Sequence, residues 1–174
     1  MSADTLYFAL TAWGTCALVV VTGVFMWKQV QIASRTAQVE LFFKIRNEYN
    51  TGEVLSARQY YSRRQLPGCI ANSADTYAET LLDFFETLGD LTKRKFLDQR
   101  MVWHEFSIPL RCYWPALLPY ANDMKRNYSD NTLYTETESL YKLLLDLELE
   151  WNKNSTTLTK EACQRFFASE CPGS

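Results

Sequence analysis

The sequence predicts an all-α protein in which a single N-terminal transmembrane helix continues into a cytoplasmic α-helical bundle. Three observations lead there. The 174 residues include only 6 Gly and 5 Pro, too few for a collagen-like, linker-rich or many-turn β architecture. No window alternates polar and apolar residues with β-branched enrichment. Apolar residues recur instead at every fourth position, as in Ala33, Ala37, Leu41, Ile45 and Tyr49. With 47% hydrophobic and 22% charged residues the chain can bury one core, though not comfortably two.

The first element is the most distinctive. Between Asp4 and Lys28 lie 23 residues without a charge, Thr5 to Trp27, and as a helix at 1.5 Å per residue they reach roughly 35 Å, the thickness of a bilayer. Tyr7, Trp13 and Trp27 fall towards the ends, where aromatic side chains suit the lipid–water interface. The start Met1-Ser2-Ala3-Asp4 has no Lys or Arg, unlike a secretory signal, so the span is expected to be retained. Lys28, Arg35, Lys44 and Arg46 follow it and no basic residue precedes it, which puts the N-terminus outside and the remainder in the cytoplasm. Within the span Ala12, Cys16 and Gly23 share a face at helical spacing with Val19, and small residues there would permit self-association.

Beyond the span the periodic pattern runs to about Asn50, and Thr51-Gly52 stops it. Glu53 to Arg64 reads as a second helix, ended by Pro67-Gly68 and a loop to Ser73. Asp75 is placed to cap a helix from Thr76 to Asp90. That helix has an apolar stripe of Leu81, Phe84, Phe85, Leu88 and Leu91 and an acidic stripe of Glu79, Asp83, Glu86 and Asp90. Asp98 caps a fourth helix, which Pro109 is expected to kink or to break near Ser107, with Pro115 and Pro119 punctuating the segment of Trp114, Leu117 and Leu118. Thr135 and Glu138 have capping-box spacing ahead of Leu140, Leu143, Leu144, Leu147 and Trp151. A tail helix is expected from Thr159 to Ser169. Four segments result: an anchor over 1–28, a juxtamembrane stalk over 29–66, a helical domain over 67–152 and a tail over 153–174.

Charge excludes some functions. The net charge of -2 gives no global basic field, and nucleic acid is not expected as a partner. Locally, Lys28 to Arg64 holds seven basic and three acidic residues, suited either to anionic lipid or simply to setting topology. The mixture of Arg58, Tyr60, Tyr61, Arg63 and Arg64 is too short a patch to argue for base stacking. Five cysteines, Cys16, Cys69, Cys112, Cys163 and Cys171, lack the spacing of a disulfide framework or a zinc site and read mostly as free thiols.

Catalytic signals are sparse. His104 is the one histidine, so any acid–base chemistry would use it with Glu105 or another carboxylate. The acidic stripe lacks the Glu-x-x-His partners of a carboxylate-bridged metal site. No phosphate-binding or nucleophile-elbow motif occurs, and neither a cofactor nor a metal is expected. Aromatic surplus is the better clue, and Trp103, His104, Arg111 and Trp114 form the candidate interaction surface.

One N-terminal span is followed by Phe42-Phe43-Lys44-Ile45-Arg46, then by Phe85-Glu86-x-x-Gly89, Leu97-Asp98 and Trp103. In this order the chain resembles the small bacterial membrane proteins grouped as domain of unknown function 4760, over about Gln29 to Trp151. The resemblance implies a helical fold in the bacterial inner membrane and supplies no activity. Gly89 would then let its helix turn ahead of Lys93-Arg94-Lys95. The expected function is that of a membrane-anchored, non-enzymatic interaction or scaffold protein, with membrane lipid, a second copy or an unidentified protein as partner. The alternatives are an oligomerising membrane effector of toxin or antiphage type, with Thr11, Thr15 and Thr22 as polar residues of its span, and a hydrolase built on His104.

Overall fold

The computed structural model of the chain describes residues 3–66, 75–151 and 158–171, and of residues 3–12, 14, 16, 17 and 75 it describes the backbone only. The described residues form six helices: α1 (Ala3–Tyr49), α2 (Gly52–Gln65), α3 (Asp75–Lys93), α4 (Gln99–Tyr128), α5 (Thr135–Trp151) and α6 (Lys160–Ser169). The all-helical class is as the composition and periodicity predict. Two compact units divide at Glu40/Leu41, within the expected stalk.

The first unit is residues 1–40, and its described residues all belong to α1. Large apolar side chains are exposed at Leu18, Val19, Val20, Val21, Val24, Phe25, Met26 and Trp27. Thr22 closes its hydroxyl onto the Leu18 carbonyl at 2.8 Å, and Thr36 does the same onto Ile32 at 3.1 Å. Such back-bonding satisfies a hydroxyl within its own helix. Among the described residues no helix is long and apolar enough to cross a membrane. The uncharged run, however, includes eleven side chains that lie outside the described ones, those of Ala12 and Cys16 among them.

The second unit, Leu41–Ser174, holds the core. Phe42, Ile45 and Tyr49 at the end of α1 are buried in it, and Tyr49 meets Phe84 and Phe106 at ring separations of 5.2 Å each. Thr51 leaves the helical conformation and Gly52 takes φ +60, a left-handed value that glycine adopts without strain. α3 presents Leu81, Leu82, Phe85 and Leu88 to the core, and α5 supplies Leu140, Leu144 and Leu147. The loop expected after Pro67 and the cysteine at 69 lie outside the described residues.

α3 does not stop at Asp90. It runs on to Lys93, and Lys95 at φ 62 turns the chain, with Lys95 N donating to Thr92 O and Phe96 N to Leu91 O. That pair of bonds is a Schellman ending with a lysine where glycine is usual. Gly89 therefore does not end the helix. A Cβ there would lie 2.5 Å from the Glu136 carbonyl oxygen, so its absence lets the start of α5 approach α3.

α4 corrects one of two alternatives, the break near Ser107. Asp98 caps it as the sequence predicts, accepting from Arg100 N and Met101 N. The helix then passes through Pro109, Pro115 and Pro119 without a break near Ser107. Each proline removes one backbone donor, and the burial of Phe106, Leu110, Tyr113, Trp114 and Leu117 along the same helix outweighs that loss. Ser129, at φ 52, ends α4 with a second Schellman pair, Ser129 N to Arg126 O and Asp130 N to Lys125 O.

Candidate functional site

The start of α5 is capped from another helix. Glu86 of α3 accepts from Glu136 N at 3.1 Å and Thr137 N at 2.7 Å, and the Thr137 hydroxyl donates to the same carboxylate at 2.9 Å. A carboxylate satisfies the orphan donors of a helix N-terminus and opposes its positive dipole end. The expected capping box does not form: Thr135 donates its hydroxyl to Thr132 O, and Glu138 pairs with Lys142 and Lys125. Glu86 thus leaves the acidic stripe for a structural role.

Its stripe neighbours line an open concavity of about 570 Å³ between α3 and the α4–α5 turn, with Glu79, Asp83, Asp130, Tyr128 and Tyr134 around it. Burial, then Glu79 and Glu86, push the Asp83 carboxyl above its usual range. The Thr132 hydroxyl and amide hold Asp130 below it. Burial raises the Tyr134 hydroxyl to about 12. A cationic group suits this lining better than an anion. Among the described residues no group of three His, Cys, Asp or Glu could hold a metal ion.

A buried ion pair forms a second polar centre. The Arg58 guanidinium lies 3.6 Å over the Tyr49 ring, donates to Tyr49 O at 2.7 Å and to Asn50 Oδ1 at 3.1 Å, and reaches Glu170 Oε1 at 2.6 Å. Burial alone would lower its pKa, but Tyr49 and Glu170 outweigh burial and raise it. Beside it Ser62 and Tyr113 share a hydrogen bond of 2.8 Å, and Tyr113 packs its ring on Phe166 and Phe167. Arg58 and Tyr61 are therefore buried and Tyr60 stacks on Tyr77 at 4.6 Å, so the mixed basic and aromatic patch is largely consumed inside the fold.

The candidate interaction residues separate. Trp103 donates Nε1 to Glu148 Oε2 at 3.1 Å and stands edge-on to Trp151 at 5.5 Å. Arg111 approaches the same Glu148 oxygen at 3.8 Å, its side chain 9% exposed, and the two residues join α4 to α5. Trp114, 5% exposed, is core and not surface, packed near Tyr141. His104 alone is exposed. Glu105, the carboxylate next to His104 in sequence, is instead bound to Arg46 at 2.8 Å. Gly23 has open space around it, with nothing within 4 Å of an added Cβ. The roles of Glu86 and Glu148, the two carboxylates that organise α5, were not legible in the sequence because nothing local marks a partner 50 or 45 residues away.

No family model matches the chain, and no curated protein and no solved structure is similar to it.

Proposed function

We propose that this chain is a membrane-anchored, non-enzymatic helical protein, held by lipid around the first part of α1, whose bundle binds a second copy or a protein partner. The observation that carries the reading is the exposure of Leu18 to Val21 and Val24 to Trp27. Consecutive helical residues point about 100° apart, so four apolar neighbours in a row leave no polar side, and a helix apolar all round belongs in a core or in lipid. Trp13 at 78% and Trp27 at 61% exposure are the interfacial anchors of that reading. The in-helix bond of Thr22 suits lipid, because the hydroxyl needs no outside partner. It also weakens the effector alternative, which would use such hydroxyls between copies.

The basic residues after the span, Lys28, Arg35, Lys44 and Arg46, support a cytoplasmic bundle in this proposal by the positive-inside rule. Alkaline carbonate extraction of membranes from cells expressing the full chain tests it. The protein is expected in the membrane pellet, and the variant Val20→Arg/Val21→Arg is expected in the supernatant with its bundle still folded. Recovery of the unaltered chain in the supernatant overturns the anchor. Retention in the membrane with no self-association and no co-purifying protein overturns the interaction role.

A further inference from the structure

α4 and α6 meet at a pair of sulfurs that have no part in the proposed anchoring. Cys112 is buried midway along α4, Cys163 is half-buried near the start of α6, and their Sγ atoms lie 2.7 Å apart. Carbon atoms in contact rest at roughly 3.5–4.0 Å, and sulfur is larger. The separation is closing on the roughly 2.05 Å of a covalent S–S bond. Among the described residues no group of three metal-ligating side chains includes this pair.

We propose that Cys112 and Cys163 form a dithiol site that closes to an intramolecular disulfide by exchange with a low-molecular-weight disulfide such as glutathione disulfide, fastening α6 to α4. Cys163, the more exposed of the two, reacts first. Its thiolate attacks one sulfur of glutathione disulfide, the S–S bond breaks, and one glutathione thiolate leaves and takes up a proton. Cys112 then releases its proton to solvent and attacks Cys163 Sγ, displacing the second glutathione. Two protein thiols lose two electrons and two protons, and one glutathione disulfide becomes two glutathione thiols. Burial pushes the Cys112 thiol well above its ordinary value, with the Cys163 contact adding to this and Arg111 opposing it. That suits the second, intramolecular step, where proximity substitutes for a high thiolate fraction.

The bond would close a loop between positions 51 apart in sequence. It would also fix the helix that carries Phe166 and Phe167 against Tyr113 and that leads into Glu170, the partner of Arg58. Redox state then sets how firmly this end of the bundle is held.

The test uses the purified full chain in detergent micelles, equilibrated in glutathione buffers from fully reduced to fully oxidised. Samples are quenched with N-ethylmaleimide in denaturant and read by intact mass and peptide mapping. The oxidised protein is expected to take up two fewer N-ethylmaleimide groups and to give one peptide joining Cys112 to Cys163. Its Tm should rise by roughly 10 °C, the effect of a disulfide closing a loop of this length. Cys163→Ser, altering the half-buried partner, should lose both signals while folding normally. Continued labelling of both cysteines in the oxidised buffer overturns the proposal. So does a disulfide from either to another cysteine, or an equal Tm rise in Cys163→Ser.

Discussion

The Glu86 carboxylate accepts the Thr137 backbone amide at 2.7 Å and the Thr137 hydroxyl at 2.9 Å, so a single side chain of α3 fixes where α5 begins. Fifty-one positions separate the two residues, and Thr137 is fully buried. Glu86→Ala would leave two amides and a hydroxyl without this acceptor. The expected loss is about 2–3 kcal/mol of bundle stability, measured by urea unfolding, because the lost bonds are charge-assisted and partly buried. Glu86→Gln keeps the acceptor oxygen and should lose less. Equal stability of the alanine variant and the unaltered chain would show that water caps α5 instead.

Gly89 tests the same junction with a sign that helix propensity gets wrong. In an exposed helix, alanine for glycine should stabilise by about 1 kcal/mol. Here the added Cβ would meet the Glu136 carbonyl oxygen at 2.5 Å and its carbon at 2.8 Å, and both are backbone atoms that cannot swing away. Gly89→Ala is expected to destabilise by about 1–3 kcal/mol, the usual penalty of overpacking. A rise in Tm would refute the close approach. The spacing Phe85-Glu86-x-x-Gly89 thus has a physical meaning: Phe85 enters the core, Glu86 caps α5 and Gly89 admits it.

The helix endings carry removable strain. Lys95 at φ 62 and Ser129 at φ 52 occupy the left-handed region at the C′ positions of α3 and α4. A side chain costs roughly 1 kcal/mol there and glycine does not. Lys95→Gly and Ser129→Gly should each raise stability by up to about 1 kcal/mol, and the two should add because they end different helices. Thermal unfolding of the single and double variants checks both statements.

These endings also show what a sequence can and cannot reveal. The end of α1 at Tyr49, the Asp98 cap and the bounds of α6 were legible because each rests on neighbours along the chain: an apolar repeat, a breaker, a short polar side chain. The left-handed turns at Lys95 and Ser129 were not, since neither position has the glycine that marks such a turn. Three prolines read as punctuation, yet α4 continues through them because tertiary burial outweighs three missing donors. Trp114 read as surplus for a surface and is core, since composition cannot say which face of α4 its neighbours cover. Glu148, which gathers Trp103 and Arg111, looked like any other acid of α5.

Arg58 and Glu170 form a pair whose side chains are 8% and 11% exposed. Removing one member of such a pair strands the other charge, a change that typically costs about 3–5 kcal/mol. Glu170→Ala is expected to destabilise by that amount. Replacing both, as Arg58→Met/Glu170→Met, should cost clearly less, because no buried charge is then left alone. A double variant as unstable as the sum of the singles would mean that the pair itself contributes little and that Arg58 depends chiefly on Tyr49 and Asn50.

Buried phenols predict the alkaline limit of the fold. Burial raises Tyr49 well above 10.0, and it raises Tyr134 to about 12 with help from Asp83 and Tyr120. Above pH 10 the unfolded chain has released these protons while the native chain keeps them, so the unfolded state binds fewer protons and stability falls as pH rises. For Tyr134 the fall spans pH 10 to about 12, and for Tyr49 it runs from pH 10 up through its own raised native pKa. The stabilising preference for the neutral phenol is fully present below pH 10. Tyr49→Phe separates this from simple packing. Its hydroxyl is buried with no hydrogen-bond partner among the described residues, so losing it should leave stability at pH 7 equal or higher by up to about 1 kcal/mol. The same variant should flatten the alkaline loss, and Tyr134→Phe should flatten only the part below pH 12. Urea unfolding at pH 7, 10 and 11.5 measures both effects, and an unchanged alkaline slope in Tyr49→Phe would assign the loss to other groups.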